Sequence, residues 1–299
     1  MTEHIMGLVA APFTPFGPDG EVNLEVIDRQ AARLVADGVV GAFICGTTGE
    51  GLSLTVDERR SVARRWADVV GDDLRLIVHV GHNSLPAARA LAAHARQIGA
   101  GGIGITAPCY YRPATTADLV DFCAAVAAEA PELDVYFYHV PVMTGVSVKM
   151  LEFLPRAAER MPNFVGVKYT LADLHEFGQC LTLDGGRYDM LFGRDEMLLA
   201  ALALGARGAV GSTYNFAAPL YRGIIEAFEA GDMETARARQ AVAGRMLYAL
   251  MEAGLPASGK AAMKMAGIDC GPPRLPLRAL DEQAYRKCRQ RLRELGVLA

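Results

Sequence analysis

The sequence predicts an α/β fold, a (β/α)8 TIM barrel with a C-terminal helical extension, and three observations predict it. Short apolar runs of strand length alternate with amphipathic helical patterns, eight such units fit into about 230 residues, and no composition break marks a linker between them. A doubly wound open sheet also alternates strand and helix, but eight uninterrupted units favour closure into a parallel barrel.

The strand candidates are 8–11, 41–45, 74–80, 102–107, 135–140, 164–168, 188–192 and 209–211. They are short, apolar runs, several β-branched, as expected of parallel strands buried on both faces. Helical patterns lie between and after them, near 24–37, 56–70, 84–98, 116–129, 148–160, 171–181, 195–205 and 216–230. Thr55 with Glu58 fits a capping box, and Ser84 with Pro86 and Thr115 with Asp118 mark further helix entries. The barrel is thus expected over 1–231. Residues 232–299 carry helical patterns near 232–253, 257–266 and 281–295, broken by Gly254-Leu255-Pro256 and Gly271-Pro272-Pro273. This extension is small for a separate domain, and is expected to pack on the barrel or support a subunit contact.

Composition narrows the function. The 299 residues are 52% hydrophobic and 21% charged, with a formal net charge of −4 and no basic block, which disfavours a nucleic-acid partner. The N-terminal stretch lacks a basic start followed by an apolar core, so no secretory signal is expected. The longest apolar run, 197–206, falls well short of the ~20 residues of a membrane span. Six cysteines, at 45, 109, 123, 180, 270 and 288, show no CxxC spacing and suit the reduced thiols of a cytoplasmic enzyme.

The chemistry is sought where such barrels place it, at the C-terminal ends of the strands. The sixth strand candidate ends at Lys168, and a buried ammonium is costly. Either the side chain snorkels to water or pairs with a carboxylate, or desolvation lowers its pKa until the neutral amine can attack a carbonyl. The fifth ends near Tyr138, whose phenol either fills the barrel or faces that amine as a proton carrier. After the second comes Gly46-Thr47-Thr48-Gly49-Glu50, which is either a tight turn or a cradle of N–H and O–H donors. Glu50 would oppose a phosphate there, so a carboxylate ligand fits better.

Tyr110 and Tyr111 follow the fourth strand as a site wall or a subunit contact. After the seventh, Asp195 and Glu196 either favour a helix N-terminus or accept hydrogen bonds from a polyol. Gly211 and Ser212 end the eighth, where a close approach of backbone to ligand would explain the glycine. His79, His82 and His139 follow strands, but without HxH or HExxH spacing, and no metal is expected.

Gly46-Thr47-Thr48-Gly49-Glu50, Tyr138-His139-Val140-Pro141, Gly166-Val167-Lys168, Gly193-Arg194-Asp195-Glu196 and 208–215 (GAVGSTYN) occur in this order at five strand ends. Together they resemble the N-acetylneuraminate lyase and dihydrodipicolinate synthase superfamily of pyruvate-dependent class I aldolases, over roughly 7–277. The runs at 45–60, 193–202, 208–215 and 271–277 are most similar to the lyase branch, its animal-type members above all. The resemblance implies that Lys168 forms a Schiff base with a 2-keto acid, that Tyr138 transfers protons, and that Thr47 and Thr48 bind the substrate carboxylate. It makes Tyr110 a relay tyrosine given to a neighbouring subunit of a homotetramer, and lines the pocket for a hydroxylated tail with Thr170, Gly193, Asp195, Glu196, Gly211 and Ser212. Pyruvate would be the shared product, with no cofactor beyond the imine.

Departures from the pattern are informative. The synthase branch has an arginine where this chain has Met143, and a thioether cannot replace a bidentate guanidinium, which disfavours the synthase. His139 stands where bacterial lyases usually have asparagine, and Arg194 is unusual. A 2-keto-3-deoxy-sugar acid aldolase or dehydratase, or a barrel that binds keto acids without turning them over, are the alternatives.

Overall fold

The computed structural model describes residues 4–298; residues 1–3 of the stretch read for a signal, and the last residue of the extension, lie outside them. Eight strands are present: β1 (Gly7–Ala10), β2 (Gly41–Ile44), β3 (Arg75–His79), β4 (Gly102–Ile105), β5 (Asp134–His139), β6 (Phe164–Tyr169), β7 (Asp189–Phe192) and β8 (Gly208–Gly211). Each pairs in parallel with the next, and β8 pairs with β1, which closes the barrel.

The helices are α1 (Val26–Ala36), α2 (Val56–Val70), α3 (Leu85–Gln97), α4 (Thr116–Ala127), the single turn α5 (Pro141–Thr144), α6 (Met150–Arg160), α7 (Leu174–Thr182), α8 (Leu198–Ala203), α9 (Tyr214–Glu229), α10 (Met233–Ala253), α11 (Ala257–Met265) and α12 (Glu282–Glu294). The predicted entries hold: Thr55 and Glu58 bond reciprocally at 2.7 and 3.2 Å, and Thr115 and Asp118 at 3.0 and 3.1 Å. Two helices start later than their patterns suggest. Asp173 caps α7 by accepting the Glu176 N–H at 3.0 Å, so residues 171–173 stay outside it. The pattern at 195–205 opens instead as a 3-10 turn, Asp195–Met197, before α8. Among the extension helices, α10 packs on α8 and α9, and α11 on α9, α10 and α12.

Side chains divide by the two-residue period of a strand. Val9, Ala11, Phe43, Ile77, Tyr136, Tyr138, Leu191 and Val210 fill the barrel interior, while Leu8, Ala10, Ala42, Ile44, Val135 and Phe137 pack outward against the helices. β6 breaks this alternation. Its Phe164 faces outward opposite Val135, and Val165 joins the interior, yet the next register pair is Tyr136 with Gly166. The slip of one residue is a bulge, and it reverses the parity of everything after it. Val167 therefore packs outward, and Lys168 lies beside Tyr138 on the inner face. Without the bulge, an inward Val165 would carry Lys168 into the helix layer.

Gly166 makes the bulge possible, because a Cβ there would overlap the carbonyl oxygen of Asp189 on β7. Backbone cannot retreat as a side-chain end can. Gly166→Ala is therefore expected to lower the unfolding free energy in urea by about 3 kcal/mol, the upper end of overpacking costs. An alanine variant as stable as the parent would show that the bulge does not depend on this glycine.

Candidate active site

The C-terminal mouth of the barrel opens into a cavity of about 590 Å³, within the range of small-molecule sites. Lys168, Tyr138, Thr47, Thr48, Thr170, Gly193, Asp195, Glu196, Gly211 and Ser212 all line it. Tyr110 does not. It stands 78% exposed, edge-on to Tyr111 with ring centroids 5.1 Å apart, so within one chain it is not brought to Lys168.

Lys168 is 4% exposed, and its Nζ lies 4.0 Å from the ring centre of Tyr138 and 4.1 Å from that of Phe43. Among the described residues no carboxylate reaches ion-pair distance of it, so it neither snorkels nor pairs. Burial pushes its pKa down from 10.5 to about 7, opposed by the more distant Asp195 carboxylate. At pH 7 about half of such amines are neutral, against about one in three thousand for an unperturbed lysine. A neutral amine in such surroundings is able to add to a carbonyl.

Tyr138 Oη lies 3.1 Å from Thr47 Oγ1, which couples the fifth strand to the loop after the second. Burial raises its pKa and the Thr47 hydrogen bond partly offsets this, so the resting group is a phenol. Asp195 is buried, with its carboxylate accepting the Thr213 N–H at 2.9 Å and hydroxyl at 2.5 Å. Desolvation raises it to about 6 in spite of those bonds. This tie to the loop after β8 explains why residues 195–197 form a tight turn and do not simply begin a helix.

Glu196 meets Arg194 in an ion pair at 2.7 Å, and Arg194 Nε donates to the Thr170 carbonyl at 3.0 Å. The unusual arginine thus sits in the cavity wall, holding one of the two carboxylates. Thr170 Oγ1 donates to the His139 carbonyl at 2.7 Å. Gly211 requires a different reason from the one expected, since a Cβ there would overlap Asp195 and the ring of Tyr214, which are protein neighbours. Met143 is an exposed residue of the rim, where it leaves an apolar wall with Val142.

The histidines do not converge. His139 points outward between Phe137 and Tyr169, with both ring nitrogens unpartnered among the described residues, and burial lowers its pKa to about 4. His79 points inward, with Nδ1 3.0 Å from the Cys45 carbonyl and Nε2 3.2 Å from Thr106 Oγ1. Burial and the neighbouring charge of Arg59 hold it well below its ordinary pKa. The neutral ring donates from Nδ1 to Cys45 and accepts the Thr106 hydroxyl at Nε2. Among the described residues no cluster of three or more His, Cys, Asp or Glu is arranged to hold a metal ion.

The model of the dihydrodipicolinate synthetase family matches residues 4–295. The chain belongs to that family. Within the family it is 42% identical to the N-acetylneuraminate lyase of Pongo abelii, over 99% of this chain and 94% of that protein. Among solved structures, the N-acetylneuraminate lyase of Proteus mirabilis superposes with a TM-score of 0.96 at 42% identity, covering 99% of this chain and 100% of that one. The sialic acid aldolase of Aliivibrio salmonicida gives 0.97 at 41% identity, covering 100% and 99%.

Sequence reasoning weighed His79 only as a metal ligand, and missed Phe43 beside Lys168, Arg59 behind His79, Thr106 in the cavity lining, and the wall the extension supplies through Leu247, Leu250, Met251, Leu255 and Pro256. Strand parity could have found Phe43 and His79. Nothing local marks the extension residues, because their role depends on where α10 lies over the mouth.

The low pKa of Lys168 has a direct readout in competitive acetylation with acetic anhydride. Its reactivity is expected to rise through a midpoint near pH 7, well below the 10.5 of an ordinary lysine side chain. Asp195→Asn, which removes the charge that favours the ammonium, is expected to move that midpoint to lower pH. A midpoint near 10 in the parent would contradict the burial argument.

Proposed function

We propose that this chain is a Schiff-base aldolase that cleaves N-acetylneuraminate reversibly to pyruvate and N-acetylmannosamine. The observation that carries this reading is the buried amine of Lys168, held beside the Tyr138 ring in a cavity with no acid bonded to it among the described residues. The similarity to N-acetylneuraminate lyases over nearly the whole chain supports the substrate.

The Lys168 amine adds to the C2 ketone of the sugar acid, and Tyr138 gives its phenolic proton to the departing hydroxyl, so that water leaves and a protonated imine stands beside a phenolate. That phenolate takes the proton of the C4 hydroxyl, the C3–C4 bond breaks, and the electron pair of that bond flows into the C2–C3 bond as the imine becomes a neutral enamine. The aldehyde departs with the C4 carbonyl. Protonation of C3 and hydrolysis of the imine return the amine and release pyruvate. In the resting enzyme Tyr138 is a phenol with no place for a further proton, since burial raises its pKa. The cationic imine corrects this, because a positive charge next to the ring favours the phenolate.

Thr47 and Thr48 would hold the carboxylate, while Thr170, Gly193, Asp195, Glu196, Gly211 and Ser212 would receive the tail. The absence of an arginine at Met143 argues against a second carboxylate as in the synthase reaction. One observation favours a second reading, a 2-keto-3-deoxy-sugar acid aldolase or dehydratase with the same imine: Arg194 occupies an oxygen of Glu196 that a long polyol would use.

The reading extends to a barrel over 1–231 and an extension over 232–299. It also includes a cytoplasmic homotetramer of carbohydrate metabolism that uses no cofactor. The described cysteines are all unpaired, and exposed Tyr110 and Tyr111 suit a subunit contact through which Tyr110 reaches a neighbour's site.

Borohydride reduction in the presence of pyruvate is expected to label Lys168 alone, as read by peptide mapping. Lys168→Ala should abolish labelling and turnover with the fold unchanged by circular dichroism. Tyr138→Phe should still trap pyruvate, yet cleave N-acetylneuraminate about 10²- to 10⁴-fold more slowly, the usual contribution of a proton-transfer group. Trapping without any turnover of N-acetylneuraminate would turn the choice to the other sugar acids, and no trapping at Lys168 would sink the imine.

A further inference from the structure

The loop that carries Thr47 and Thr48 is bracketed by two residues with left-handed backbone, Cys45 at φ 56° and Glu50 at φ 52°. Neither is a glycine, so the conformation costs free energy and persists only where its surroundings impose it. The Cys45 end is held by His79 Nδ1–H, itself packed beneath Arg59. What holds the Glu50 end comes from far away in the chain.

Glu50 meets Lys260 of α11 at 2.9 Å, with the two side chains 1% and 2% exposed. Its second oxygen accepts the backbone N–H of Arg274 at 2.9 Å. Lys260 also donates to the Pro272 carbonyl at 3.0 Å and lies 4.2 Å over the Phe16 ring. Arg274 in turn donates to the Gly20 carbonyl at 2.8 Å and pairs with Glu58 of α2. Every charge here has a partner, and all the ties converge on one end of one loop. Glu50 Oε1 is fixed by the extension, the Glu50 N–H donates to the Thr47 carbonyl at 3.0 Å, and the Gly51 N–H donates to the Gly46 carbonyl at 3.0 Å. The position of Glu50 is thereby passed to the two threonines.

We propose that Lys260 of the C-terminal extension is a positioning residue for substrate carboxylate binding. It holds Glu50, and through it the Thr47-Thr48 turn, in the donor geometry that a keto acid needs. The extension is on this account part of the binding site's construction as well as a wall over it. The proposal rests on the reading that the loop binds the substrate carboxylate.

The test is the double variant Glu50→Gln, Lys260→Met, in which the amide oxygen can still accept the Arg274 N–H and no buried charge is orphaned. Steady-state cleavage of N-acetylneuraminate is measured alongside half-saturation of borohydride trapping by pyruvate and urea unfolding. The expected result is a KM and a half-saturation concentration each raised about tenfold, with kcat changed by less than about threefold and the unfolding midpoint near the parent's. Unchanged KM and half-saturation would overturn the proposal. So would a fall in kcat that tracks the fraction of trappable sites, because the pair would then only keep the chain folded. Should the double variant not fold, Lys260→Arg, which keeps the charge and changes the reach, is judged by the same two constants: raised supports, unchanged overturns. Failure of the underlying reading looks different, since the parent itself would then not trap pyruvate, or Thr48→Val would leave half-saturation as it is.

Discussion

A single constraint organises the molecule: an amine must be kept dry without being given an acid. A buried ammonium with no partner is unstable, and a buried ammonium with a carboxylate is inert, so only a narrow arrangement leaves the nitrogen free to react. Lys168 occupies that arrangement. Its neighbours are ring faces, and the carboxylate of Asp195 acts on it only from a distance and is itself bonded to Thr213. The closed barrel supplies the dryness, and the bulge on β6 supplies the direction.

The chain contains its own control experiment. Lys260 is as buried as Lys168, but Glu50 lies 2.9 Å from it, and the Pro272 carbonyl takes a further N–H. Arg59 is fully buried as well, and its two terminal nitrogens donate to the carbonyls of His79 and Gly81, at and just after the end of β3. Three buried cations therefore meet three solutions, and only one leaves the charge negotiable. The comparison explains why burial by itself is a poor sign of a nucleophile, whereas burial without a bonded acceptor is a good one.

Much of this was legible in the sequence, for identifiable reasons. Eight apolar runs fixed the barrel because parallel strands are buried on both faces, and the capping pairs at Thr55 and Thr115 marked helix entries through local hydrogen bonds. The threonine loop, Tyr138 and Lys168 stood out as polar groups at strand ends. Three things were hidden. The inward aim of Lys168 depends on a bulge that strict alternation does not foresee, and the start of α8 on a bond from Asp195 to a residue 18 positions later. The partner of Glu50 lies more than two hundred residues away, so nothing near Glu50 in the sequence reports the buried ion pair that holds its charge. Local patterns report local energies, and each of these features is long-range.

The aromatic faces around Lys168 resolve a conflict that the proposed chemistry creates. The resting amine has to be neutral in part, yet the imine it forms has to be cationic, so the same cavity must tolerate a charge later that it discourages at first. A carboxylate at bonding distance would fail the first demand by holding the proton, as Glu50 does for Lys260. A purely aliphatic lining would fail the second. Ring faces about 4 Å from the nitrogen attract a cation by roughly 0.5–2 kcal/mol and cannot accept a proton from it, which places them between the two. The phenol of Tyr138 would add a response of its own, because the charge that arrives with the proposed imine also favours its phenolate, and the phenolate can take a proton. Phe43 has no such hydroxyl, and its part ends with the field of its ring. One residue of the pair senses the charge and acts on it, while the other only makes it bearable.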